Sequence, residues 1–462
     1  MSVTDVGTDI LKGLAWNPAA PDDVLLRLLS PDARVAWHWL CLRREFTPGL
    51  VDAIVGHPDL RVRGAFAESW TADPADRARL VDDPEHKVRL GLGNGPEPFR
   101  IEVAPLPDGV YERLLADPDG DVREWTALSH SIPLRLLAGY ADHADPKVRA
   151  AACRAWDDLA PGVRETLLAD PDDAVRRAAS LRACPDDAAR TDELLDTPGG
   201  RNREDVLRRG RLTRATAERL VANEDAWERS ALAWNPSLPP DLVARLASDP
   251  EHAVRLAVSA RPELTEEQRA AIDYEVRPED RLRPVRWVWD LRDDLEALRR
   301  AATSAHPWLR RTAANPCLPA DLVDGLAHDE DAGVRLLTCE YQPDAAPDVL
   351  LRTALEWSGY TRSLLLDRPQ FPGRGLARYA DDADPSRRVL VFHDPGAAPE
   401  LILRLSHDEN GWVRGTAAAD PRLAPDRIEE LLTDPATAYG AAHNPALPPD
   451  VMHRLLDELG VG

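Results

Sequence analysis

The chain has 462 residues, 44% of them hydrophobic and 30% charged, which is enough apolar surface for a continuous core in a water-soluble protein. Its formal net charge of −23 opposes binding to nucleic-acid phosphates or to an anionic membrane, because both need Lys and Arg to neutralise negative charge. Five cysteines, Cys41, Cys153, Cys184, Cys317 and Cys339, are an odd number with no C-x-x-C spacing; that argues against a disulfide framework or a zinc ribbon and fits a reducing compartment. The segment Met1–Asp5 has no basic or apolar targeting pattern, and no stretch approaches the roughly 18 apolar residues of a membrane span. A cytoplasmic location is expected.

In chain order the sequence repeats itself. Two degenerate units come first, anchored at Ile10 and Val35; Trp16 precedes Asn17-Pro18, and Trp37 and Trp39 follow the second anchor. A Val-Arg step then recurs at Val62-Arg63, Val88-Arg89, Val122-Arg123, Val148-Arg149 and Val175-Arg176. Gly91–Gly95 interrupts this run. It lacks the G-x-x-x-x-G-K-[ST] of a phosphate loop and reads as an inter-repeat loop in a stretched unit over 91–108. Looser copies follow at Asn202-Arg203 and Glu228-Arg229, then a full one at Val254-Arg255. A second stretched unit spans 273–286, and Val285-Arg286, Leu309-Arg310, Val334-Arg335, Thr361-Arg362 and Val413-Arg414 continue the series. Val389 and Thr437 anchor copies that lack the arginine. The count is roughly 17 units of about 24–28 residues, where a solenoid needs about three to be stable. They occupy 1–462 as a single solenoid.

The fullest units share one pattern: Asn235-Pro236-Ser237-Leu238-Pro239-Pro240-Asp241-Leu242-Val243, then Asp249-Pro250 and Val254-Arg255. Asn315-Pro316 and Asn444-Pro445 open the same series. Pro240 and Asp241 suit the first turn of a helix, one through its fixed φ and the other through the positive N-terminal dipole. Leu242, Val243 and Leu246 then share a face. Asp249 ends that helix, because the residue before proline avoids the α region, and it is expected to cap the next helix. Asn-Pro stops the second helix. Neither helix is long enough to stand alone, so each depends on stacking against its neighbours.

This combination of Asn-Pro-x-Leu-Pro, Asp-Pro and Val-Arg resembles the variant leucine-rich repeat family of bacterial proteins over essentially the whole chain. The resemblance implies an all-α, right-handed superhelical α-solenoid of alternating α- and 3₁₀-helices with no β-sheet; HEAT-like α/α stacking is the near alternative. One member type carries a cysteine cluster for an iron–sulfur centre, which this sequence lacks, so no cofactor is implied.

Arg63, Arg89, Arg123, Arg149, Arg176, Arg255 and Arg335 form a ladder at one repeat position. Arginine favours bidentate carboxylate pairing, so a structural role with the recurring Asp83, Asp117, Asp170, Asp249, Asp329 and Asp408 is expected over an anion-binding stripe. The i,i+2 pairs Trp37/Trp39 and Trp287/Trp289 cannot bury both rings on one helical face. One ring of each pair is therefore expected at the surface, and with Tyr274 and Arg277 of the stretched unit these are the candidate partner-binding residues. No catalytic or metal-binding motif is present. The expected function is a non-enzymatic scaffold that binds a protein or peptide along a groove. The alternatives are a HEAT-like DNA-binding or glycosylase-type enzyme, using Trp and Asp, and a sensor or specificity subunit of a bacterial regulatory or defence system.

Overall fold

The computed structural model describes residues 6–43, 45–96, 103–196, 202–278, 280 and 283–462. Every regular element among them is helical, and none of the helices is long and apolar enough to cross a membrane. The chain divides into two compact units, one formed by Met1–Ala179 with Leu376–Gly462 and the other by Ser180–Gly375. Each is a stack of paired short helices, a HEAT/armadillo-like α-solenoid arrangement.

One repeat of the second unit shows how the pattern folds. Helix Pro240–Leu246 starts with Pro240 at its first position and Asp241 in its first turn, and buries Leu242, Val243 and Leu246. Helix His252–Ser259 follows and buries Val254, Leu256, Ala257 and Val258. The anchor valines Val62, Val88, Val122, Val148, Val175, Val254, Val334 and Val413 are all fully buried. Segments of seven and eight residues gain little from helix propensity alone. Burial of these apolar faces, about 25 cal/mol per Å², is what holds them. Both helices of most repeats are α-helical. Regular 3₁₀ segments among the described residues lie at Pro31–Ala36, Cys153–Asp158, Leu376–Tyr379 and Val389–His393, so strict α/3₁₀ alternation is absent.

Two local expectations need correction. Asp249 does not cap the following helix: its Oδ1 accepts the amide of Glu251 (2.9 Å), two residues on, in a turn that precedes the helix. The cap falls at that later position, where Asp119, Asp225, Asp331 and Asn410 accept first-turn amides. Gly91–Gly95 is not a loop. Helix His86–Asn94 runs through it and ends at Gly95, whose φ of 72° is left-handed. Close packing calls for glycine instead: a Cβ on Gly93 would collide with the Thr126 hydroxyl. Residues 97–102 of that stretched unit, and 279, 281 and 282 of the other, lie outside the described residues.

At Asn235 and Asn444 the buried asparagine of Asn-Pro joins one repeat to the one before it, whereas the Asn315 Nδ2 meets no acceptor. Asn235 donates from Nδ2 to Leu207 O (2.8 Å) and Gly210 O (2.9 Å), while its Oδ1 accepts from Ser237 N (2.8 Å). Asn444 likewise donates to Ala418 O (2.8 Å) and Asp420 O (2.7 Å). Elsewhere an arginine reaches the corresponding carbonyls, as Arg43 does to Ala15 O (2.7 Å) and Asn17 O (3.0 Å). The helix ends thus find buried donors for carbonyls that no intrahelical amide satisfies. Replacing Asn235 with Ala strands Leu207 O, while Gly210 O keeps the Ser237 hydroxyl (3.2 Å), and a buried orphan costs about 1–3 kcal/mol. Chemical denaturation of Asn235→Ala is expected to show a loss of about 1–3 kcal/mol, against under about 0.5 kcal/mol for an exposed control such as Glu224→Ala.

Candidate functional site

The arginine ladder is the most regular polar feature. Arg63 donates from Nε (2.6 Å) and Nη2 (3.0 Å) to the two oxygens of Asp83 in the next repeat, and from Nη1 to His57 O (2.5 Å) and Pro58 O (3.1 Å) in its own turn. Arg89 treats Asp117, Asp83 O and Pro84 O in the same way, and Arg149 treats Asp170, His143 O and Ala144 O. Arg123 pairs with the capping Asp145. Arg176 keeps the carbonyl contact to Asp170 and pairs with Asp173 in its own helix. Arg255 reaches Asp249 O and Pro250 O and, across the repeat, Asp273 O (2.6 Å); Arg335 reaches Asp329 O, Glu330 O and Glu356 (2.6 Å). The Arg149 guanidinium holds the Asp170 carboxyl below the usual carboxylate range, against the opposing effect of desolvation.

Three further arginines share this role: Arg229 and Arg310 at looser copies of the anchor, and Arg388 outside the expected series. Arg310 pairs with Asp329 and keeps Ser304 O and Ala305 O. Arg229 pairs with Asp249, and Arg388 with Asp408, each keeping the two carbonyls of its own turn. The repeat at Val389 therefore does have its arginine, one residue ahead of the expected anchor, because Arg387 takes the place of the usual valine. By contrast Arg286 leaves the ladder and pairs with Asp290 on its own helix. Shallow grooves of about 640 and 630 Å³ lie along the ladder turns, one lined by Arg123 and Asp145, the other by Arg89 and Asp117. Their guanidiniums are already committed to carboxylates, which leaves them poor sites for phosphate.

The tryptophan pairs sit differently from expectation. Trp37 is 3% exposed, with the Arg61 guanidinium 5.2 Å from its ring centre. Trp39 is half-buried against Trp16 (5.9 Å) and Tyr439 (6.2 Å). Trp287 and Trp289 are also half-buried; the Trp287 indole donates to Ala260 O (2.8 Å), in place of an Asn-Pro asparagine, and Trp289 meets Tyr341 edge-on at 5.6 Å. No ring of either pair lies open, because stacking from adjacent repeats covers the second face that a lone helix would leave bare. Tyr274 stacks flat on His306 at 4.4 Å. Arg277 is exposed, accepts at its carbonyl from Arg311 (2.6 Å) and lies 3.8 Å from Glu275.

The open tryptophans are others: Trp125 is 47% exposed, Trp227 51% and Trp412 55%. Trp227 and Trp412 both stand two residues before a ladder arginine, next to a capping Asp225 or Asn410 and beside the inward anchor position. That shared spacing was the available signal. Trp308 occupies the equivalent place yet is buried, since its indole donates to Arg283 O (2.7 Å).

His306, Ser259 and Tyr274 are the nearest approach to a reactive cluster. His306 is fully buried; Nδ1 accepts from Trp308 N (3.2 Å), so the ring proton lies on Nε2, which meets Ser259 Oγ at 2.9 Å. The serine hydroxyl is itself turned to Leu256 O (2.8 Å). A histidine that donates to serine cannot take its proton, so the pair as arranged braces the fold rather than activating a nucleophile. Burial pushes the Cys41 thiol up to about 12, away from thiolate chemistry. Among the described residues no three His, Cys, Asp or Glu side chains gather as a metal site requires.

No protein-family model matches the chain, and no curated protein does. Among solved structures it is similar to Kap121p bound to Pho4p, at 11% identity and a TM-score of 0.21 over 92% of this chain and 51% of that one. The same holds for Kap121p bound to Nup53p, at 11% identity and 0.20 over 99% and 51%, and for an engineered protein at 12% identity and 0.15 over 95% and 98%. The chain spans about half the length of Kap121p.

Burial, helped by the nearby cations Arg269, Arg310 and Arg311, lowers the His306 pKa to about 3. An unfolded histidine titrates near 6.5, so between these values the unfolded chain binds the extra proton. Stability is then complete above about pH 6.5 and falls as pH drops toward 3. Unfolding midpoints compared at pH 7 and pH 5 are expected to fall on acidification in the native chain. The part of that fall due to His306 should vanish in His306→Gln.

Proposed function

We propose that the chain is a non-enzymatic scaffold that binds a protein or peptide partner through side chains displayed on its second helices. The observation that carries this reading is the placement of Trp227 in one unit and of Trp125 and Trp412 in the other. They are large rings left about half exposed on otherwise well-packed helices. Tryptophan combines a large contact area with an indole donor and dominates many binding hot spots. A net charge of −23 favours a partner with a basic or mixed face, through faster encounter as well as contact. The repeat type is read as the variant leucine-rich kind, on the Asn-Pro, Asp-Pro and Val-Arg series, and the compartment as the cytoplasm. A DNA-binding role gains nothing from the ladder, because its arginines are held by carboxylates.

Affinity purification from the native host with quantitative mass spectrometry tests this. Trp227→Ala or Trp412→Ala is expected to lower recovery of a stoichiometric partner roughly tenfold or more, with stability unchanged to within about 0.5 kcal/mol. Trp287→Ala, which removes the donor to Ala260 O, is expected to cost stability instead, about 1–3 kcal/mol. Undiminished recovery in Trp125→Ala, Trp227→Ala and Trp412→Ala alike would contradict the reading.

A further inference from the structure

Within the unit formed by 1–179 and 376–462, the repeat at 6–27 stacks on the repeat at 438–461. The interface has the features of one between repeats that follow each other in the chain. Asn17 is fully buried and donates to Ala442 O (2.9 Å) and Asn444 O (2.8 Å), partners as much as 427 positions away. Asn444 makes the same pair of bonds to its own predecessor, at 26 and 24 positions. Gly13 sets the close approach: a Cβ there would stand 2.5 Å from Tyr439 O and 2.7 Å from the Ala442 Cβ. Leu14 and Ala15 share one buried core with Ala438, Ala441 and Ala442. On the first-helix side Arg27 Nη2 meets Asp457 Oδ1 (2.5 Å) and Val461 O (2.5 Å), much as Arg79 reaches Asp52 (2.7 Å) in the preceding repeat. His453 Nε2 lies 3.3 Å from Asp23 Oδ2.

We propose that residues 6–30 are an intramolecular clasp. They occupy the stacking face of the 438–461 repeat, and by doing so keep that face from taking the 6–30 repeat of a second copy of this chain. The chemistry of the face is generic to the array: two buried carbonyls awaiting an amide donor, an alanine-lined helix, and an acidic first helix awaiting an arginine. Any repeat with Asn, Gly and Arg at these places fits it. Attachment in one chain gives the 6–30 segment a high effective concentration at the face. With the clasp open, the two faces are complementary but not self-complementary. Pairing between copies is then head-to-tail, a geometry that propagates unless it happens to close.

The full chain tests this by hydrogen exchange and light scattering. In the native protein, helices Val6–Trp16 and Ala438–His443 are expected to be protected alike, at a single-chain mass at every concentration. Gly13→Leu, which wedges the interface, should deprotect both helices together and give a mass that rises with concentration. The proposal is overturned if Ala438–His443 keeps its protection while Val6–Trp16 loses it, or if the opened variant stays at single-chain mass throughout. A second variant covers the case in which Gly13→Leu fails to fold. Asp23→Cys with His453→Cys should be joined within one chain by a short bis-maleimide crosslinker, mapped by mass spectrometry. A crosslink formed only between chains, or none, counts against the clasp.

Discussion

The buried arginine between successive repeats is the contact on which the rest of the structure depends. Arg229 grips both oxygens of Asp249 in the next repeat and two carbonyls of its own turn, with both side chains about a tenth exposed or less. A helix of seven or eight residues has no independent existence in water, and apolar burial alone would let such helices slide. A bidentate pair in a desolvated setting does not slide: leaving one partner unpaired costs about 3–5 kcal/mol. The pair therefore penalises every stacking register except the one that joins it. The asparagines Asn235 and Asn444 act on the same kind of interface by satisfying the carbonyls that end the preceding second helix.

Because this fastening is internal, it frees the outward positions. Exposed first-helix pairs such as Arg214–Asp241 and Arg299–Asp321 add little stability, so those rows tolerate change. The same logic separates the tryptophans into two groups. Trp37, Trp287 and Trp308 are spent on packing or on capping a carbonyl, whereas Trp125, Trp227 and Trp412 have no such structural duty and suit recognition.

Much of the fold was legible because the repeat constrains each residue locally. The anchor valines, the Pro-Asp helix starts and the Asn-Pro stops all fall where hydrophobic spacing and backbone chemistry put them. The failures have physical reasons too. A helical wheel for Trp287 and Trp289 cannot show the neighbouring repeat that covers the second face. The arginine at 388 is hidden in the sequence pattern because Arg387 stands where the valine should be. Gly91–Gly95 reads as a loop since glycine disfavours helix interiors, yet the close approach of Thr126 to Gly93 calls for glycine inside the helix. No local pattern could reveal that Asn17 bonds to Ala442 and Asn444, because the partner lies at the far end of the sequence.

A double-mutant cycle on Arg229 and Asp249, run beside the same cycle on the exposed pair Arg214 and Asp241, tests the central claim most directly. If buried inter-repeat pairs fix the register, the coupling energy for Arg229→Ala with Asp249→Ala is about 2–3 kcal/mol, against less than about 1 kcal/mol for the exposed pair. Equal and small couplings in the two cycles would contradict it, and would leave apolar packing alone to align the stack.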